Sequence, residues 1–208
     1  MRRTALLVPA IILSAPALAE EIKCEGVFGV DSTLELMEAT FGTENVVTGE
    51  TDGPEGSTII ATTIFPDDPE KRMVVGWWDE ENRTGLSYVE IPDKDSVAGL
   101  HDGLTVKEVE ALNGEPFTMT GFWWDYGGYA GFQSGKLSDI PGGCVVSVYF
   151  QPMATPDIDT TAVSGDIEVP SSEPLLETLD VRVDAVTISY PFPDLEGMDE
   201  APAEDTRG

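Results

Sequence analysis

The segment Leu104–Gly114 reads LTVKEVEALNG, and Ser32–Gly42, lying 72 positions earlier, reads STLELMEATFG. In both segments apolar residues recur every three or four positions, which is the spacing of a helix with one buried face. Each ends in glycine, which readily adopts the left-handed conformation at a helix C-terminus. Residues suited to capping boxes stand at the two starts: Ser32 with Glu35, and Thr105 with Glu108. The two predicted helices share four identical positions, which indicates an internal duplication.

Short strands are predicted after each helix, from alternating apolar residues bounded by turn residues. They lie near Asn45–Thr48, Thr58–Phe65, Arg72–Trp78 and Leu86–Ile91, and then near Phe117–Phe122, Tyr129–Lys136, Cys144–Phe150 and Val183–Tyr190. This order predicts the α+β class, with two tandem copies of a short helix packed on an antiparallel sheet. The copies cover 20–100 and 101–190, and the second carries an acidic insert at 151–179.

The line Gly103–Pro116 is similar to a signature, G-(M/L)-T-x-x-x-V-x-x-x-x-G-x-P, of the β-lactamase-inhibitor-protein-like fold. Small lipoproteins of outer-membrane assembly are related to that fold. The matching positions are Gly103, Thr105, Val109, Gly114 and Pro116, whereas the first copy has Glu44 where Pro116 stands. The wider chain also resembles exported proteobacterial proteins. The resemblance implies a tandem helix-plus-sheet fold and carries no functional residue across, because the motif builds a helix and its caps.

The N-terminus has the pattern of a secretory signal peptide. A basic start at Arg2 and Arg3 precedes an apolar run over Ala5–Leu13 and a small-residue site ending at Ala19. We expect residues 1–19 to be removed by cleavage after Ala19, giving a periplasmic or secreted protein. Cys24 lies five residues beyond that cleavage site, so a lipid anchor is not expected. No later segment is apolar enough to predict membrane insertion after cleavage.

The two cysteines, Cys24 and Cys144, are expected to form a disulfide, because paired cysteines are usual in exported proteins. The C-terminal stretch 191–208 contains six acidic residues and no periodic apolar pattern. It is therefore predicted to be a disordered acidic tail.

The charge balance restricts the partners. The chain has 11 Lys and Arg residues against 39 Asp and Glu residues, which gives a formal net charge of −28. A field of this sign repels nucleic acid and anionic lipid headgroups, so nucleic acid is excluded as a partner. The same field favours a cationic partner.

No catalytic residue, metal ligand set or cofactor motif is assigned. The single histidine, His101, stands in a loop without a recognisable nucleophile motif. One alternative function is a carboxylate-dependent hydrolase of the envelope or of glycans, since Asp79 and Asp125 each follow a pair of tryptophans. Another is an acidic calcium-binding protein that uses the acids of the insert, which lack the spacing of an EF-hand.

Strand alternation predicts a binding surface. In the third and fourth strands of the two copies, it places Trp78, Tyr88 and Tyr149 on the side of the sheet turned away from the helices. Aromatic residues are enriched on protein-binding surfaces. The sequence therefore favours a non-enzymatic protein-binding module, inhibitor-like or an envelope accessory factor. The alternative left open is that the insert covers these three residues as a second small core.

Overall fold

The computed structural model describes residues 21–52 and 56–192 of the 208-residue chain. The predicted signal peptide lies outside the described residues, as does the predicted tail apart from its first two residues. The described residues contain three short helices: α1 (Leu34–Phe41), α2 (Val106–Asn113) and α3 (Pro174–Thr178). They also contain nine strands: β1 (Val46–Asp52), β2 (Thr58–Ile64), β3 (Met73–Asp79), β4 (Thr84–Glu90), β5 (Thr118–Thr120), β6 (Tyr129–Gly131), β7 (Val145–Pro152), β8 (Glu168–Pro170) and β9 (Val181–Ser189).

Seven of these strands form one antiparallel sheet in the order β1-β2-β3-β4-β9-β7-β6. The junction between the halves of the chain is the pairing of β4 with β9, in which Tyr88 lies opposite Ser189 and Glu90 opposite Thr187. Strands β5 and β8 pair with each other in a separate two-stranded sheet.

The predicted α+β class, with two tandem copies of a helix packed on a sheet, is wrong. The structure is mostly antiparallel sheet, and its helices have only 8, 8 and 5 residues. Since β9 lies between β4 and β7, strands from both halves belong to one continuous sheet. The repeat also predicts that β5 pairs with the other strands of the second copy. Its partner is instead β8, which comes from the acidic insert. Local alternation identifies strands but does not specify which strands pair.

Helix capping follows the sequence at α2 and departs from it at α1. Thr105 and Glu108 form the predicted capping box at α2. At α1 the capping residue is Thr33, whose side chain accepts a hydrogen bond from the backbone N–H of Leu36. The predicted capping residue Ser32 is instead buried, and its hydroxyl donates to the carbonyl of Val27 at 2.6 Å.

The main core lies on the face of the large sheet that is covered by the helices. Its inward side chains come from alternate strand positions and include Val75, Trp77, Leu86, Val89, Val146, Val148, Phe150 and Ile188. Met37 of α1, Val109 of α2 and Leu176 of α3 are buried in the same core. The register between β3 and β4 shifts by one residue between Gly76 and Trp77, so Leu86 points inward, where strict alternation from Val89 would place Ser87.

The predicted disulfide between Cys24 and Cys144 is confirmed. The two Cα atoms are 5.9 Å apart and both side chains are buried, at 3% and 5% exposure. The bridge links the N-terminal segment to the residue before β7 across 120 positions of sequence. It therefore connects the start of the described chain to β7, the strand next to the edge strand β6 of the large sheet.

The acidic insert at 151–179 is part of the folded body. It contains β8 and α3, and four of its apolar side chains belong to the core: Val163, Val169, Leu176 and Leu179. The insert pairs with β5 through β8 and contacts α2 through an ion pair between Lys107 and Glu177. It therefore packs against the second half of the chain.

The Tyr190 phenol provides a test of the packing at the N-terminal segment. Its O–H donates to the carbonyl of Phe28 at 2.6 Å, and burial raises the pKa of Tyr190 to about 12. We expect Tyr190→Phe to lower the free energy of unfolding by about 1 kcal/mol at pH 8. A raised pKa means that the stabilisation is complete below the ordinary tyrosine pKa of about 10 and is lost as the pH rises towards about 12.

Urea unfolding between pH 8 and 12 measures this effect, with Tyr129→Phe as the control because Tyr129 is 39% exposed. The alkaline loss of stability should be smaller in Tyr190→Phe than in the wild type and unchanged in the control. An identical alkaline loss in all three proteins would contradict this assignment.

Candidate functional site

The three aromatic residues predicted to form a binding surface lie on one face of the large sheet, the face opposite the helices. We call this surface the outer face; it consists of Val74, Gly76, Trp78, Tyr88, Glu90, Tyr129, Gly131, Val145, Ser147, Tyr149, Ala185, Thr187 and Ser189. The register supports this grouping, because Gly76, Tyr88, Ser189 and Val145 follow one another across four strands. Trp78 and Tyr149 are each 36% exposed, and Tyr88 is partly buried.

Tyr88 lies flat over a glycine of the neighbouring strand. A Cβ atom built on Gly76 would lie 2.0 Å from the Tyr88 ring, so any side chain at position 76 would displace that ring. Burial raises the pKa of the Tyr88 phenol, and the negative charges of Glu90 and Glu80 raise it further. The glycine thus makes room for the aromatic ring on the sheet surface.

Trp78 and Tyr149 each contact a second aromatic residue. Trp78 meets Phe192 edge to face at a centroid distance of 4.9 Å, and Phe192 is itself 53% exposed. Tyr149 meets Tyr129 of the adjacent strand at 5.4 Å. The acidic insert, which packs on β5 and α2, leaves these side chains accessible. The outer face therefore presents exposed aromatic pairs at two places.

A groove of about 360 Å³ opens on the outer face beside Tyr149. Its walls include Glu90, Thr187 and Ala185 of the sheet and Arg72 from the turn before β3. The groove therefore combines a phenol, a guanidinium and two carboxylates, those of Glu90 and Asp93, with an apolar surround, an arrangement suited to polar and apolar side chains of a polypeptide.

Glu90 carries the charge at the centre of the outer face. Its carboxylate raises the pKa of both Tyr88 and Tyr149, so it lies within electrostatic reach of both rings. Although Glu90 remains accessible to solvent, the protein around it displaces water and raises the pKa of its carboxyl, which the positive charge of Arg72 opposes. A positive charge placed beside the Glu90 carboxyl would stabilise its ionised form, as the charge of Arg72 already does in part.

Replacement of Glu90 by glutamine tests this electrostatic description. Because the pKa of Glu90 is raised in the folded protein, the wild type loses stability as the pH rises from the ordinary value of 4.5 through the folded-state pKa. We therefore expect Glu90→Gln to be more stable than the wild type at pH 7, and the difference to shrink as the pH falls towards 4.5.

Chemical unfolding across this pH range provides the measurement, with Glu35→Gln in the exposed first turn of α1 as the control. A Glu90→Gln protein that is less stable than the wild type at pH 7 would show that the Glu90 carboxylate is favourably paired instead.

Four residues of this region were not predicted as site residues: Arg72, Glu90, Tyr129 and Phe192. The alternation that places Tyr88 on the outer face also places Glu90 there, but the approach of Glu90 to Tyr149 depends on the pairing of β4 with β9 and of β9 with β7. The turn residue Arg72 and the contact of Phe192 with Trp78 have no local sequence signal.

The two segments on which the hydrolase alternative rests, Trp77–Asp79 and Trp123–Asp125, differ in structure. Trp77 is buried and its indole N–H donates to the Thr62 hydroxyl at 2.9 Å, while Asp79 accepts hydrogen bonds from Asn82 that lower the pKa of Asp79. Asp79 therefore has a structural role in its turn. In the second pair Trp123 is 56% exposed, and the indole of Trp124 donates to the carbonyl of Gly121.

Within residues 21–52 and 56–192, no group of three or more His, Cys, Asp or Glu side chains is arranged to hold a metal ion. In the same described ranges, no helix has the length and apolarity needed to span a bilayer. No protein-family model matches the chain, and no curated protein or solved structure is significantly similar to it.

Proposed function

We propose that the protein is a non-enzymatic binding module, soluble in the periplasm or secreted, which holds a protein partner on the outer face. The observation that carries this proposal is the placement of Trp78, Tyr88 and Tyr149 on a sheet face that the helices leave uncovered, with the Glu90 carboxylate close to the two tyrosines. Exposed aromatic residues beside a charged group are typical of the energetic centre of a protein interface.

The favoured partner presents basic side chains among apolar ones. Its apolar residues would pack on Trp78 and on the pair formed by Tyr129 and Tyr149, and a Lys or Arg side chain would lie at Glu90. The net charge of −28 steers such a partner towards the protein and disfavours anionic ones. An inhibitor or an envelope accessory factor acts through a surface of this kind.

Two further observations support an exported protein. The Cys24–Cys144 disulfide is the bond expected in an oxidising compartment, and the sequence at 1–19 has the pattern of a signal peptide. We also propose a distant relation to the β-lactamase-inhibitor-protein-like group. The signature residues Thr105 and Gly114 support it, since they cap the two ends of α2.

Alanine substitutions on the outer face test the proposal once a partner has been captured from a periplasmic extract. We expect Tyr149→Ala to weaken binding by more than about 1 kcal/mol, about fivefold, without unfolding the protein, because interface aromatic residues carry much of the binding energy. Leu36→Ala is the matched control, since Leu36 is 41% exposed on α1, on the other side of the sheet. Equal losses for the two variants, or none for Tyr149→Ala, would contradict the proposal.

A further inference from the structure

A second groove, of about 490 Å³, lies on the helix side of the molecule, between the first turn of α2 and the segment 171–181 that carries α3. Its floor is apolar and consists of Val106, Leu176 and Val181, each no more than 5% exposed. This volume falls within the range of sites that enclose small organic molecules. The groove shares no residue with the outer face.

The rim of this groove is strongly acidic. Four carboxylates line it, against one ammonium group: Glu110, Glu173, Glu177 and Asp180 against Lys107. Some of these acids have structural partners, since the Ser171 hydroxyl donates to Glu110 at 2.5 Å and Arg182 pairs with Asp180 at 2.9 Å. The excess of negative charge disfavours an anionic ligand, and the apolar floor disfavours a hydrated inorganic ion.

Lys107 shows where a positive charge is held at this rim. Its ammonium lies 2.7 Å from Glu177 Oε2, and the two side chains are 75% and 74% exposed. An ion pair so exposed contributes little free energy, so an incoming cation can take the place of Lys107 at low cost.

We infer that this groove binds a small organic cation with an apolar body. The body lies on the floor formed by Val106, Leu176 and Val181, and the ammonium or guanidinium group lies at Glu177. The inference is independent of the proposed protein-binding function, because it concerns the opposite side of the sheet.

Tryptamine is a suitable probe, because it joins a protonated amine to an indole ring. In a titration of the full chain followed by backbone amide NMR, tryptamine should shift the signals of Val106, Lys107, Leu176 and Val181. We expect a dissociation constant on the order of 1 mM for a ligand of this size. Indole-3-acetate, which has the same ring and the opposite charge, should bind about tenfold more weakly or not at all.

Two variants at the rim should change the affinity in opposite directions. Lys107→Gln removes the competing ammonium and should strengthen tryptamine binding about two- to fivefold, whereas Glu177→Gln should weaken it by a similar factor. Lys94→Gln and Glu70→Gln are the matched controls, because Lys94 and Glu70 form an exposed pair at 3.1 Å and do not line the groove. The controls change the net charge by the same amounts and should leave the affinity unchanged.

Three results would overturn the inference. One is the absence of shifts in the groove at tryptamine concentrations about ten times the expected dissociation constant. Another is equal binding of tryptamine and indole-3-acetate, which would show that only the ring is recognised. The third is an equal effect of the groove variants and the control variants, which would show that net charge alone governs the affinity.

Discussion

Replacing Trp77 by alanine should lower the free energy of unfolding by about 3–5 kcal/mol, whereas the same change at the adjacent Trp78 should lower it by only about 1 kcal/mol. The two residues are consecutive in β3 and point to opposite faces of the sheet. Trp77 is 4% exposed and Trp78 is 36% exposed. The difference follows from the apolar surface that each side chain removes from water.

The hydrogen bond of Trp77 adds to this effect. Its indole N–H donates to the hydroxyl of Thr62, which is fully buried and also bonded to Thr48 at 2.8 Å. Trp77→Phe retains most of the ring volume and loses that bond, so it should cost less than Trp77→Ala. Denaturant unfolding of the three variants gives the comparison. If Trp78→Ala cost as much as Trp77→Ala, Trp78 would belong to a second core, and the outer face would not be free for a partner.

Removal of the disulfide should have an effect of similar size. The double variant Cys24→Ala/Cys144→Ala is expected to lose about 2–5 kcal/mol, because the bridge closes a long loop and so restricts the unfolded chain. The sequence separation of 120 residues places this bond among the long loops, for which the restriction is greatest. Both sulfur atoms also lie in the core, so their loss removes buried contacts.

Thermal unfolding with and without a reductant separates the bridge from the packing of the side chains. The wild type should lose stability on reduction, and the double variant should not respond to the reductant. A wild-type protein that is unaffected by reduction would mean that the bond contributes nothing to stability.

Local structure followed well from the sequence. The strand predicted at Arg72–Trp78 is β3, found at Met73–Asp79, and the strand predicted at Val183–Tyr190 is β9, found at Val181–Ser189. Alternation in these strands is strong, because one face is buried and the other is not. In contrast, β8 and α3 were missed, since their segment is rich in acids, proline and serine and has no clear periodicity.

The fold class could not be obtained in the same way. The pairing that joins the two halves, Glu90 opposite Thr187, connects residues far apart in the sequence and has no local signature. The register shift that turns Leu86 inward in place of Ser87 is likewise a property of the paired strands. The duplicated helix pattern therefore predicted two similar units, where the strands form one sheet.

The candidate site was predictable in part. Alternation alone placed Trp78, Tyr88 and Tyr149 on the helix-free side, and the structure has them there. Their binding role stays a prediction. The proximity of the Glu90 carboxylate to Tyr88 and Tyr149 was not predictable. Tyr149 lies on β7, which is far from β4 in the sequence and comes close to it only in the folded sheet.

The most direct test of the outer face as a binding surface is site-specific photo-crosslinking in the cells that produce the protein. A benzophenone amino acid is placed in turn at Trp78, Tyr88 and Tyr149, and at the exposed control positions Leu36 and Val30. The proposed function predicts one crosslinked protein partner from the outer-face positions and none from the controls. Crosslinks from the controls alone, or the same products from every position, would contradict it.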